Sequence, residues 1–233
     1  GHSYHFEVKV GKPDNVEEVK KGTKLGRGAK FKCLLSDSPM SPEYIKSEGK
    51  AGRMSAKLMA IVVEGDRSRV YLPPILDHEH ISQKAEPTWS PDVKISEDTR
   101  AFWTPAYGVT HYRDLFTPRQ LVALNTFSDL VQEAREKVIS DAKKAAWTDD
   151  GLALDDGGLE ATAYGDAVAV YLAISNNKVA DRNSSVCGWD SSRDSIRNTF
   201  SRQAIPMVWD YAEPNIIGDS SGSMSNAVDQ TVS

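Results

Sequence analysis

The sequence predicts an α+β fold: a small β-rich N-terminal subdomain followed by an α-helical half built on two long antiparallel helices. Two observations carry this reading. Short alternating apolar runs broken by glycines fill the first third, whereas apolar residues recur at spacings of three and four downstream of Thr117 and again after Gly158. With 233 residues, 39% hydrophobic and 26% charged, the chain is long enough to bury a sizeable core.

Tyr4 to Val10 alternates Phe6, Val8 and Val10 with polar residues, the pattern of a half-buried strand. A glycine-rich basic connection then leads to a second short strand near residues 29–35. Pro42 suits the first position of a helix through Ser47, ended by Gly49 and Gly52. Lys57 to Val63 and Arg69 to Leu72 flank Glu64-Gly65-Asp66-Arg67-Ser68, a hairpin signal. Prolines at 73, 74, 87, 91 and 105 mark an extended connector with one short helix over residues 79–85.

Thr117-Pro118-Arg119-Gln120 combines an N-cap, a first-position proline and a capping box, so a helix starts there and runs to about Ala146 along Leu121, Leu124, Val131, Ala134 and Val138. Ala163, Ala167, Val170, Tyr171 and Ile174 restart the stripe through about Val179, with small residues that permit close packing. Asn183 onward should return across the end of this pair. The predicted boundaries are 1–75 for the β-rich subdomain, 76–113 for the connector, 114–217 for the helical subdomain and 218–233 for a mobile Ser/Gly/Asn-rich tail.

The net charge of -5 is unevenly distributed. Residues 1–60 hold twelve Lys or Arg against seven Asp or Glu, and residues 61–233 hold sixteen against twenty-six. Attraction to a polyanion is therefore local, which argues against a strong stand-alone DNA binder. No apolar run reaches the roughly 20 residues that span a bilayer, and Gly1-His2-Ser3 reads as an expression remnant, so a cytoplasmic protein with no membrane partner is predicted. Cys33 and Cys187 lack a CxxC partner and read as free thiols.

Several constellations invite chemistry. His78 and His80 would share a face on a strand but diverge on a helix, and a surface turn is the simpler reading. The acidic loop 149–160 lacks the oxygen ligands of a calcium loop, Gly26-Arg27-Gly28 lacks the strand-turn-helix setting of a nucleotide loop, and Cys187 has no histidine near it in sequence. Arg193 and Arg197, one helical turn apart, stand with Asn198, Arg202 and Gln203 in a set suited to phosphates, guanine edges and adenine; Asp190, Asp194 and Asp210 would neutralise the arginines in a purely structural network. Lys46, Lys50, Arg53 and Lys57 form a second basic cluster that is otherwise a solvated surface.

Long strings resemble, in order, the adenine-specific DNA methylases described as containing a Zn-ribbon. They are Tyr44 to Met54, Leu58 to Val62 leading to Arg69-Val70-Tyr71-Leu72-Pro73-Pro74, Asp114 to Leu121, and Asn183 to Glu213 with Ser220-Ser221-Gly222 behind it. Members of that family carry a glycine-rich S-adenosylmethionine loop and an Asp/Asn-Pro-Pro-Tyr motif. Neither is present: Pro73-Pro74 sits between Leu72 and Ile75, and Glu213-Pro214-Asn215 has one proline. The resemblance implies the middle segment of such an enzyme, without catalytic residues or cofactor of its own, the parent using S-adenosylmethionine. It also implies a degenerate Zn-ribbon remnant, because Cys33-Leu34-Leu35-Ser36 stands where the family has a Cys-x-x-Cys, and no zinc is expected.

The function implied is that of an interstitial domain giving DNA contacts or target recognition through Lys46, Lys50, Arg53, Arg193, Arg197, Asn198 and Arg202, with DNA and the methyltransferase core as partners. The alternative is a structural or interaction module packing on that core or on a partner subunit, with Trp189, Phe200, Ile205, Val208 and Trp209 at the junction.

Overall fold

The computed structural model describes residues 4–233 and has an α+β fold of helices and small antiparallel sheets. Gly1-His2-Ser3 lies outside the described residues. The chain divides into two compact units: unit 1 comprises 1–84 together with 104–110, and unit 2 comprises 85–103 with 111–233. The stretch read as a connector is thus shared between them.

Unit 1 is built from short pieces. Helix α1 (Val16–Lys21) is capped by the Asn15 side chain, which accepts from the Glu18 amide. Strands β1 (Phe31–Lys32) and β2 (Pro39–Met40) pair antiparallel around a tight turn in which the Cys33 amide donates to Ser38 and the Asp37 amide to Cys33. Helix α2 (Pro42–Lys50) starts as predicted, with Ser41 accepting from the Tyr44 amide at 3.2 Å and Pro42 in the first turn. Gly49 does not end it. A Cβ there would stand 2.3 Å from the Tyr107 carbonyl oxygen, and one on Gly108 would stand 2.4 Å from the Gly49 oxygen, so the two backbones cross with no room for a side chain.

Strands β3 (Ile61–Glu64) and β4 (Arg69–Leu72) form the predicted hairpin, with Val62 opposite Tyr71 and Val63 opposite Val70. The Gly65 amide donates to Ser68 at 2.8 Å, and Arg67 adopts positive φ. Both faces of this ribbon are open; Ile61 alone is half-buried. Helix α3 (Leu76–Ser82) begins three residues earlier than predicted, and Lys57 pairs with its Glu79 at 2.5 Å. The predicted strand over Tyr4 to Val10 is not formed: those residues have no regular structure, are mostly exposed, and pair with no strand among the described residues. Alternation without a partner edge makes no ladder.

Unit 2 rests on α4 (Pro118–Lys144) and α5 (Ala161–Arg182). The capping box at Thr117 and Gln120 is present, the Thr117 amide donating to Gln120 Oε1 at 2.8 Å. The helices run antiparallel, since Asn176 reaches Leu124 near one end while Arg135 pairs with Asp166 at 2.5 Å towards the other. Gly165 sits against Ile139, where a Cβ would come within 2.5 Å of Cγ1. Ala161, Ala163 and Gly165 are all buried in the first turns of α5.

Two features depart from the sequence reading. Residues 218–233, read as a mobile tail, contain helix α6 (Met224–Val232), whose N-cap Ser223 and first-turn Ala227 are buried and which packs on α5 through Ser175 and Thr231, 3.0 Å apart. A small apolar side and a serine cap suffice because the surface it meets is already formed. The second half is also not wholly helical: β5 (Trp189–Asp190) and β6 (Ser195–Ile196) make a short hairpin. No helix among the described residues is long and apolar enough to cross a membrane.

Candidate nucleic-acid interface

On α2 the buried face is Ile45 and Gly49, packed on the 3-10 turn Thr104–Tyr107. Lys46 and Lys50 follow one position behind each and lie one helical turn apart on an adjoining strip, with Lys50 exposed and Lys46 half-buried along its stem. Neither ammonium has a carboxylate within ion-pair distance among the described residues. Arg53 is different: its Nε and Nη2 grip the two oxygens of Glu48 at 2.7 Å each, and this guanidinium holds the Glu48 carboxyl below its ordinary range. A phosphate reaching Arg53 has to displace a bidentate partner.

The 183–213 segment crosses the end of the α4–α5 pair, as its position in the sequence suggested. Asn183, Ser184, Val186, Cys187, Thr199 and Ile205 are buried there. Asp181 at the last turn of α5 fastens the return: Asn198 Nδ2 and the Phe200 amide donate to its carboxylate, and the Thr199 amide donates to its carbonyl at 2.6 Å. Farther along, Glu213 accepts from Arg119 at 2.8 and 2.7 Å and from the fully buried Gln120 at 3.1 Å, while Arg119 also donates to Tyr211. Arg-carboxylate forks of this kind set geometry as well as energy.

This architecture rearranges the predicted arginine set. Arg193 lies in the turn between β5 and β6 and Arg197 just beyond β6, so the pair is not a helical turn apart. The turn is wound around Asp190, which accepts from the Ser192 hydroxyl at 2.6 Å and the Ser192 amide at 3.1 Å, and Asp194 takes positive φ. The Ser192 hydroxyl, then its amide and the nearby Arg197 and Arg193 charges, hold Asp190 below its ordinary range. Arg197 stands 3.7 Å from Asp190, Arg193 and Arg202 are exposed, and Asn198 is committed to Asp181. Sequence reasoning thus places in one set an anchoring amide and three surface cations. Lys46, Lys50 and Arg53 belong to unit 1, and the other four to unit 2.

Two cations escape the sequence reading. Lys178 and Arg182 lie four residues apart at the end of α5 and line a cavity of about 230 Å³ with Asp181, Asn198, Ser223 and Asn226. Lys178 donates to the Gln230 carbonyl and Arg182 to the Ser221 hydroxyl, each at 2.5 Å. Their spacing is visible in the sequence, but the helix that closes the cavity falls in the stretch that reads as a tail.

Cys187 Sγ is buried between Thr199 Oγ1 at 3.1 Å, Ser184 Oγ at 3.4 Å and the Asp181 carbonyl at 3.6 Å, a hydroxyl cage with no base. His78 and His80 lie on α3, the former accepting from the Ile75 amide. Among the described residues no group of three or more His, Cys, Asp or Glu is placed to hold a metal. The residues around Cys33 do not fit a structural zinc: Ser36, then the Leu35 and Ser36 amides, lower its thiol pKa, but one sulfur and a serine fall short of four ligands. Gly26-Arg27-Gly28 lies in a turn before β1 with no helix after it, so it does not fit a cofactor loop. Of the apolar residues named for a junction, Ile205 is buried by pairing with Ala101 and Trp103, Trp189 and Val208 are half-buried, and Phe200 and Trp209 are exposed. No family model, no curated protein and no solved structure matches this chain.

Proposed function

We propose that this chain is the interstitial, non-catalytic segment of a cytoplasmic S-adenosylmethionine-dependent DNA adenine methyltransferase, and that it adds contacts to the DNA backbone. The reading rests on the ordered family strings without a cofactor loop or Pro-Pro-Tyr motif. Lys46 and Lys50 are the residues best suited to the contact, because they are unpaired, one helical turn apart, and carried on the basic unit. Arg193 and Arg202 are second, being exposed without a fixed partner. Asn198 and Arg53 act in folding first. These contacts position; they carry no base readout by themselves.

Fluorescence anisotropy with a short duplex tests this. Lys46→Glu with Lys50→Glu should weaken binding and lower the salt slope by about 2, one for each phosphate that is no longer neutralised. An unchanged slope removes the assignment. Calorimetry with S-adenosylmethionine should give no micromolar binding to the chain alone, and a micromolar isotherm would contradict the non-catalytic reading.

A second reading, a module that packs on the methyltransferase core, is favoured by one observation. The β3–β4 ribbon exposes Val62, Val63, Val70, Tyr71 and Leu72, and a two-stranded hairpin with both faces in water is marginal until something covers it.

A further inference from the structure

Helix α5 is covered on two sides, by α4 along Gly165 and Val179 and by α6 near Ser175, and left open on a third. On the open side stand Tyr164, Val170, Tyr171 and Ile174, respectively 47, 52, 51 and 43% exposed. Their spacings of three, four and seven keep them on one face. From Ala167 to Asn176 the helix carries no charge at all, the composition of a helix meant to be surrounded. Two neighbours extend the face past the helix start: Trp147, its ring 5.2 Å from Tyr164, and Leu154, whose amide donates to Asp166 at 2.9 Å.

At its N-terminal end the rim of this face has one sign; at the other end stands Lys178, seven residues past Tyr171, its ammonium taken up by the Gln230 carbonyl at 2.5 Å. Residues 145–177 contain six carboxylates and no Lys, Arg or His. Asp149 and Asp166 are taken up by Lys143 and Arg135. Asp150, Asp155, Asp156 and Glu160 have no cation within ion-pair distance among the described residues, and Glu160 receives only the Thr148 hydroxyl. Phosphodiesters and anionic lipid headgroups are repelled by such a rim. A second copy meeting this face through a two-fold axis would set the same carboxylates against one another.

We propose that the open face of α5 docks a basic amphipathic helix of another protein, its apolar side on the Tyr164 to Ile174 stripe and its lysines or arginines towards Asp150, Asp155, Asp156 and Glu160. Helix-in-groove recognition uses the same three-and-four spacing of anchors. This goes beyond the proposed DNA role and does not depend on it.

The test uses the full chain and a synthetic Leu/Lys amphipathic peptide of about eighteen residues, long enough for five turns, followed by amide chemical shifts. The peptide should move resonances within 145–175, and its counterpart with Glu in place of each Lys should bind at least about tenfold more weakly. Tyr171→Ser with Ile174→Ser, both exposed and so expected to melt as the wild type does, should weaken the Lys peptide about tenfold. Asp155→Asn with Asp156→Asn should do so in proportion to its salt dependence. The proposal is overturned if both peptides bind equally, if the shifts lie elsewhere, or if a variant with unchanged melting binds as before. Sedimentation that finds a dimer dissolved by Tyr171→Ser, or anionic vesicles captured through this face, would overturn it too.

Discussion

Unit 1 carries fifteen Lys or Arg against eleven Asp or Glu, and unit 2 carries thirteen against twenty-two. The contrast in packing runs the same way. Of the buried apolar side chains only Ala29 and Ile45 belong to unit 1, while Leu115, Leu121, Val179, Cys187 and Ile205 are among those that fill unit 2. Unit 1 is therefore held by turns, caps and one backbone crossing, and unit 2 by a helix pair with a polar clasp over its end. Basic charge sits on the part with the least core, where surface positions are not constrained by packing. Acidic charge sits on the part whose scaffold is fixed.

This contrast can be broken at matched positions. The largest effect is expected for Gly49→Ala, where the added methyl meets the fixed Tyr107 carbonyl at 2.3 Å; unit 1 should be destabilised by about 3 kcal/mol. Gly165→Ala in unit 2 meets Ile139 Cγ1 at 2.5 Å and the Arg135 carbonyl oxygen at 3.2 Å, and should cost about 2 kcal/mol, less than Gly49→Ala because its nearest neighbour is a side chain and not backbone. The gain in helix propensity is common to both and cancels in the comparison. All five tryptophans (89, 103, 147, 189 and 209) lie in unit 2, so fluorescence reports its unfolding and amide exchange reports unit 1. Equal destabilisation would mean that the backbone crossing is not what holds α2.

The next effect compares polar fasteners. Gln120→Ala removes a fully buried amide that serves both Thr117 and Glu213 and should cost about 2 kcal/mol by urea denaturation. Arg53→Ala removes an exposed fork on Glu48 and should leave the urea midpoint nearly unchanged. The smallest effect is in acid. The Leu154 amide, then Arg135, lower the folded-state pKa of Asp166. Its contribution is therefore complete above the ordinary carboxylate range and is lost as pH falls through the lowered value, below about pH 4. Asp166→Asn should flatten that acid limb in the tryptophan signal, and an unaltered limb would assign it to other carboxylates.

What is legible in the sequence follows from how local each signal is. Thr117-Pro118-Arg119-Gln120 specifies its helix start within four residues, and Gly65 to Ser68 its turn, so both stand where predicted. Helix α6 is missed in the sequence because it is only nine residues long, follows directly on the Ser/Gly-rich 218–223 stretch, and settles only against α5. The helical spacing of the arginine set misleads for the opposite reason: i,i+4 looks helical, but Asp190 and Ser192 wind a turn that carries Arg193, and strand β6 stands between it and Arg197. Asn198 looks like a base reader because its partner Asp181 lies 17 positions earlier, beyond any local pattern.

The crossing of Gly49 and Gly108 also has a temporal side. Residues 104–110 complete unit 1, yet they are synthesised after the first nineteen residues of unit 2. A nascent chain that has emerged only as far as residue 84 lacks the surface on which α2 settles, so unit 1 cannot finish before part of unit 2 has left the ribosome. Domains usually fold in the order in which they emerge; here the order is interleaved, and a pause in translation between residues 85 and 103 would hold the basic unit open.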